Sequence, residues 1–180
     1  MIGVLVSGNG TNLQALVDAG LPISAVAANR KDAYALIRAR AAGLPAATFG
    51  LDCHAGREER DLMMATWLEE HGVELVVLAG YMHILTPAFL DRFPNAVVNV
   101  HPSLLPQFPG AHAVEEQLRA GVSESGATVH FVDEGVDSGP VLAQERVPVL
   151  PDDTAETLHE RIKEIEHRLL PRVVEELCAR

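Results

Sequence analysis

The stretch IGVLVSGNGTNLQALVDA, Ile2 to Ala19, runs from five mainly apolar residues through two glycines into a helical pattern. A short, β-branched apolar run bounded by glycine reads as a buried strand, and the periodic run after it reads as a helix. The glycines permit a tight turn between them, and the first backbone N–H groups of the helix, with its dipole, favour an anion there. A dinucleotide-binding loop would carry a third glycine where Leu13 stands, and an acidic residue would close the second strand, which ends AANRKD. The Lys-Ser/Thr pair of a P-loop is also missing. Gly10, Thr11 and Asn12 therefore suit a phosphate monoester better than NAD or ATP.

The same alternation continues outward from this unit. Ile2–Ser7, Ile23–Asn29, Ala46–Gly50, Glu74–Gly80 and Ala96–His101 read as strands. Thr11–Ala19, Lys31–Ala42, Gly56–His71 and Thr86–Phe93 read as the helices between them. Strands separated by helices imply an α/β fold with a doubly wound, mostly parallel sheet of Rossmann-like type. Ala113–Ala120 reads as a short helix, and Gly126–Val132 and Val141–Val149 as two further strands. A long C-terminal helix follows, with Leu158, Ile162, Ile165 and Leu169 on one face. Asp153 with Glu156 is the expected capping box at its start, and Pro171 is expected to bend or break it. Residues 1–180 are expected to form one domain, since no linker, repeat or low-complexity tract interrupts them.

The fifth strand ends in NVHPSLLPQFPG, Asn99 to Gly110. Side chains alternate along a strand, so Asn99 and His101 share one face and Val98 and Val100 the other. Pro102 disfavours helix at His101 and ends the strand, leaving both polar groups at the carboxyl edge of the sheet, where open α/β sheets bind ligands. A carboxamide N–H and an imidazolium can both donate to an oxygen that gains charge as a carbonyl is attacked. A carboxylate beside His101 would favour its charged form. Asp133, Glu134 and Asp137, in the turn DEGVDSGP, are the candidates.

Composition narrows the partners. A formal charge of −11 with pI near 5.1 disfavours nucleic acid and anionic membrane, and 4% aromatic residues supply no base-stacking platform. No apolar run approaches the roughly 18 residues of a membrane span. Cys53 and Cys178 have no metal-ligand spacing, and no cleavable leader pattern opens the chain, so reduced thiols, no metal and a cytoplasmic location are expected.

The stretches SGNGTNLQAL, VVLAGYMHILTPAFL, NVHPSLLPQFPG, TVHFVDEGVDSGP and EIEHRLLP together resemble the glycinamide ribonucleotide formyltransferases, from Val4 to about Leu170. HPSLLP alone is shared with other folate-dependent formyltransferases, while SGNGTN and the terminal EH narrow the resemblance. It implies transfer of a formyl group from 10-formyltetrahydrofolate, a co-substrate, to the primary amine of glycinamide ribonucleotide in purine biosynthesis. Asn99 and His101 are thereby implied to stabilise a tetrahedral oxyanion, and Asp137 to partner His101 and organise a water that relays the proton. Gly10, Thr11 and Asn12 fall on the phosphate site, with Lys163 near it, and Glu166 on the ribose hydroxyls. Met82, His83, Ile84, Leu85 and Val132 are implied to line the folate pocket, with Arg57 near the glutamate tail. Relatives often have arginine at the position of His83. A monomer or homodimer is expected. A transfer-RNA or sugar-nucleotide formyltransferase, a formyltetrahydrofolate hydrolase and a non-catalytic nucleotide sensor are the competing readings; the first and the hydrolase usually carry a further domain, and the sensor would leave Asn99, His101 and Asp137 without a purpose.

Overall fold

The computed structural model describes residues 1–179. Among them, seven strands form one sheet: β1 (Ile2–Val6), β2 (Ile23–Ala28), β3 (Ala46–Thr48), β4 (Leu75–Leu78), β5 (Val97–His101), β6 (Glu124–Phe131) and β7 (Val141–Pro148). The helices are α1 (Thr11–Asp18), α2 (Ala35–Ala41), α3 (Arg57–Glu70), α4 (Pro87–Leu90), α5 (Ala113–Ala120) and α6 (Ala155–Cys178). The strand order is β3-β2-β1-β4-β5-β6-β7. The chain divides into two compact units, Met1–Val98 and the residues from Asn99 onward.

In the first unit β1 is parallel to β2 on one side, with Val4 opposite Val26, and to β4 on the other, with Leu5 opposite Leu78. β2 is parallel to β3 in turn. All five residues of β1 are buried, as a central parallel strand covered on both faces requires. The chain winds from β1 to β2 and β3, then returns to β4 on the opposite flank of β1. The carboxyl ends of β1 and β4 thus form a topological switch point.

In the second unit β6 and β7 pair antiparallel, from Glu124 opposite Pro148 to His130 opposite Val141. The sheet is therefore mostly parallel with an antiparallel end. α6 packs on both of these strands and buries Leu158, Ile162, Ile165 and Leu169.

Several expected boundaries move. α2 begins at Ala35 because Arg30–Ala33 forms a turn, with Ala33 N donating to Arg30 O at 3.4 Å. A 3₁₀ turn, Leu51–Cys53, follows β3, which stops at Thr48 rather than Gly50. The capping box of α6 is built from Thr154 and Thr157 in place of Asp153 and Glu156. Thr157 N donates to Thr154 Oγ1 at 3.2 Å, and Thr154 N to Thr157 Oγ1 at 2.9 Å. Asp153 lies one residue outside and takes the Arg161 guanidinium, at 2.8 and 2.9 Å, together with Leu150 N at 2.7 Å. α6 also continues through Pro171. An internal proline costs a helix about 3 kcal/mol, but Leu169, Leu170, Val173 and Val174 around it are buried. Each such side chain contributes roughly 1.5–3 kcal/mol, so tertiary packing wins. Neither cysteine is in a disulfide. Among the described residues, no helix is long and apolar enough to cross a membrane and no cluster of three metal-binding side chains occurs.

Candidate active site

At the switch point of the first unit, the glycine loop leaves β1 and the segment Ala79–Thr86 leaves β4. Met82 N donates to Ser7 Oγ at 2.8 Å and ties the two together. Gly10 precedes α1 with φ 74°, in the left-handed region, and a Cβ there would lie 2.6 Å from Ala35 Cβ. The loop carbonyls turn toward α2: Gly8 O accepts from Ala35 N at 3.0 Å, and Asn9 O from Arg38 Nε at 2.8 Å. The first turn of α1 carries no acidic residue. Thr11 and Asn12 open the helix, with Asn12 buried. A helix start of this kind suits an anion.

The segment after β4 has no regular structure until α4. Met82 and Ile84 are 69% and 53% exposed, whereas Leu85 is buried. The first two thus form an apolar edge that the core does not consume. Arg57 Nη2 donates to Ile84 O at 2.7 Å, so the arginine expected near an anionic tail also holds the segment's backbone.

In the second unit β5 delivers Asn99 and His101, β6 delivers His130, and the turn after β6 delivers Asp137. The His101 Nε2–H donates to Phe108 O at 2.8 Å, since a carbonyl can only accept. His101 Nδ1 stands 3.4 Å from Asp137 Oδ2. Both ring nitrogens therefore face oxygen, an arrangement that suits the imidazolium. Asn99 Nδ2 lies 3.2 Å from His130 Nε2 and 3.4 Å from Asp137 Oδ1. The His130 Nδ1–H donates to Phe131 O at 2.8 Å, and Nε2 stands 3.5 Å from Asp137 Oδ1. Gly110 N donates to Asp137 Oδ2 at 2.8 Å. Burial pushes the Asp137 carboxyl up, but the hydrogen bonds from His130 and Gly110 N–H and the charges of His101 and His130 outweigh it, leaving it at about 2.

Of the three acidic candidates in the turn, Asp137 reaches His101. Asp133 instead closes the turn, accepting from Ser138 Oγ at 2.7 Å and Gly135 N at 3.0 Å, and Glu134 is exposed. Asp137 and Phe108 both have positive φ, 52° and 53°. Two of the groups that touch His101 thus come from non-glycine residues in the sparsely populated left-handed region. The loop that carries Phe108 is anchored at its start: Thr128 Oγ1 donates to Ser103 O at 2.6 Å, Leu105 N to Thr128 Oγ1 at 3.1 Å, and Ser103 Oγ to Gln107 O at 2.6 Å. His130 was not foreseen as part of this cluster. Its signal was a polar residue between Val129 and Phe131, the same alternation that marks Asn99 and His101.

On α6, Lys163 Nζ donates to Glu160 Oε1 at 2.6 Å, and Glu166 is 5% exposed. His167 is partly buried, and its imidazole is held below the usual range by that burial and by Lys163. Val132 follows β6 and is half-buried.

The mostly parallel sheet, with a glycine loop at its switch point, defines an α/β fold of the doubly wound class. Residues 1–174 match the formyl transferase family, so the chain belongs to that family and is a formyl-group transferase. It is 46% identical over 180 residues to the phosphoribosylglycinamide formyltransferase of Mycobacterium tuberculosis, covering 97% of this chain and 83% of that protein. It is 42% identical over 181 residues to the Drosophila melanogaster trifunctional purine biosynthetic protein adenosine-3, covering 96% of this chain and 13% of that longer protein. The crystal structure of glycinamide ribonucleotide transformylase 1 from Symbiobacterium toebii superposes with a TM-score of 0.95 at 46% identity, covering 96% of this chain and 84% of that one.

Proposed function

We propose that this chain transfers the formyl group of 10-formyltetrahydrofolate to the primary amine of glycinamide ribonucleotide, a step of de novo purine biosynthesis in the cytoplasm, and that its two compact units work as one formyltransferase domain. The observation that carries the reading is the cluster of Asn99, His101, His130 and Asp137. It joins a carboxamide, a histidine with both ring nitrogens against oxygen, and a carboxylate that stays ionised.

In this reading the substrate amine attacks the formyl carbon, and the carbonyl oxygen gains negative charge. Asn99 and His101 donate to that oxygen, exchanging the hydrogen bonds they make within the cluster for stronger ones to an anion. Asp137 balances the charge on His101 and orients a water that relays the proton lost by the amine to N10 of the folate, whose bond to the formyl carbon breaks as the oxyanion collapses to the new formamide. Gly10, Thr11 and Asn12 hold the ribonucleotide phosphate, Lys163 adds a cation near it, and Glu166 accepts from ribose hydroxyls. Met82, Ile84, Leu85 and Val132 cover the apolar part of the folate, with Arg57 and His83 toward its glutamate.

The test is tetrahydrofolate release by the purified protein, followed with and without glycinamide ribonucleotide. Release that requires the amine supports the transferase. Release that proceeds equally without it identifies a hydrolase and overturns the reading.

A further inference from the structure

Arg57, Arg60 and Asp61 stand at i, i+3 and i+4 in the first turns of α3 and so share one helix face. All three grip the irregular segment before α4. Arg57 holds Ile84 O, Asp61 Oδ2 accepts from Thr86 N at 2.7 Å, and Arg60 Nη1 lies 2.5 Å from His83 Nδ1. Arg60 and Asp61 are each 0% exposed, and Arg60 Nε donates to Asp61 Oδ1 at 2.8 Å. Taking two charges out of water costs several kcal/mol per ion, so such a pair is a poor device for stability alone. An apolar pair would pack α3 as well. It could neither donate to His83 nor accept from Thr86.

A guanidinium carries five donors and no acceptor. His83 Nδ1 must therefore accept, and its neutral ring carries the proton on Nε2. We propose that Arg60 is a positioning residue that fixes His83 as a neutral imidazole protonated on Nε2, so that the edge of Met82, His83 and Ile84 offers a ligand one uncharged donor, suited to an amide or other neutral carbonyl oxygen. The ligand half of this rests on the folate reading given above.

The surroundings agree. Burial, then the charges of Arg60 and Arg57, hold His83 below the ordinary imidazole range. Asp61 acts in the opposite sense but is paired with Arg60. Tyr81 packs edge-on to the His83 ring at 5.9 Å, and burial pushes its hydroxyl up to about 12, so it stays neutral. A second proton on His83 would turn an N–H toward the Arg60 guanidinium.

Long-range ¹H–¹⁵N spectra of the ring in the intact, ligand-free protein test the first half without reference to activity. The expected result is an unprotonated Nδ1, a protonated Nε2, and a titration midpoint below that of free histidine. A ring protonated on Nδ1, or a midpoint at or above that of free histidine, overturns the proposal. Arg60→Lys keeps the charge opposite Asp61 but loses the fork. It should move the ring spectrum and raise KM for the formyl donor about threefold or more, with the ribonucleotide KM unchanged. A folded Arg60→Lys protein with the wild-type ring spectrum also overturns the positioning role. If the tautomer holds but the donor KM does not move, the ligand half falls, and the assay of amine-dependent release separately decides the formyl-transfer reading.

Discussion

Asn99 has two amide hydrogens, and in this structure one faces His130 and the other Asp137. Asn99 thus orients the cluster as well as supplying a donor. Replacing either Asn99 or His101 by alanine should lower kcat by roughly 10²-fold or more, with smaller effects on KM, because the lost bond strengthens as charge develops. In the proposed mechanism the two donate to the same oxygen, and both lie beside Asp137, so the double variant should fall far less than the product of the singles; steady-state kinetics on the three proteins checks this. Asp137→Asn, which keeps shape and tolerates a positive φ, should still lower kcat, and a near-normal value would remove Asp137 from the chemistry. The shared face of Asn99 and His101 was legible because a strand has a period of two. Asp137 was not separable from Asp133 and Glu134, because turn side chains follow no such period; only hydrogen bonding shows that Asp133 is occupied by Ser138 and Gly135. His130 follows the same strand rule, but a single polar residue in a strand shows no partner until the sheet is assembled.

Among the elements, the glycine loop gives the sharpest contrast. A Cβ on Gly8 would meet nothing within 4 Å, and its backbone is outside the left-handed region; one on Gly10 would collide with Ala35 in a left-handed backbone. Gly10→Ala should therefore lower the melting temperature, and with it every activity. Gly8→Ala should leave the melting temperature near wild type yet weaken ribonucleotide binding, since its methyl occupies the open side of the loop. Calorimetry and a binding titration on both proteins decide it, and unchanged binding in Gly8→Ala would place the phosphate elsewhere. The element order and most of the core were legible from periodicity. The ends were not. The cap of α6 slipped by one residue because Arg161, more than one turn inside the helix, claims Asp153. Pro171 stayed helical because burial around it outweighs its local cost.

For the whole molecule, acid is the informative stress. The Asp137 carboxyl sits at about 2, and the Arg161 guanidinium holds the almost fully covered Asp153 lower still. A carboxylate whose folded-state value lies below its unfolded one contributes stability that is complete above the unfolded value, near 3.8, and is lost as pH falls through the folded value. Asp137 should thus contribute on the order of 2 kcal/mol at neutral pH. The melting temperature should begin to decline below about pH 6.5, where the imidazoles of His83 and His167 take protons more readily unfolded than folded, and then fall steeply from about 5 toward 2, with a smaller steep fall in Asp137→Asn. A parallel fall in both proteins would mean that Asp137 is not the group lost. Composition already indicated an acidic protein, with a charge of −11, but not which carboxylates carry weight, because that depends on donors distant in sequence. Nor does anything in the run VVNVH mark the division between compact units, which falls inside it, after Val98.

The left-handed backbone at Phe108 sets a trap for anyone who would make this enzyme hardier. Glycine there removes a steric cost of about 1–2 kcal/mol, so a search that selects only for heat resistance is drawn to it. The replacement keeps the carbonyl but frees the loop that aims it at His101. At Asp137 the same exchange would also delete the carboxylate's own contribution to stability, so heat gives it no comparable advantage. Selection by temperature alone should thus enrich Phe108 variants that survive heating and turn over poorly. Position 108 belongs outside any library built for durability.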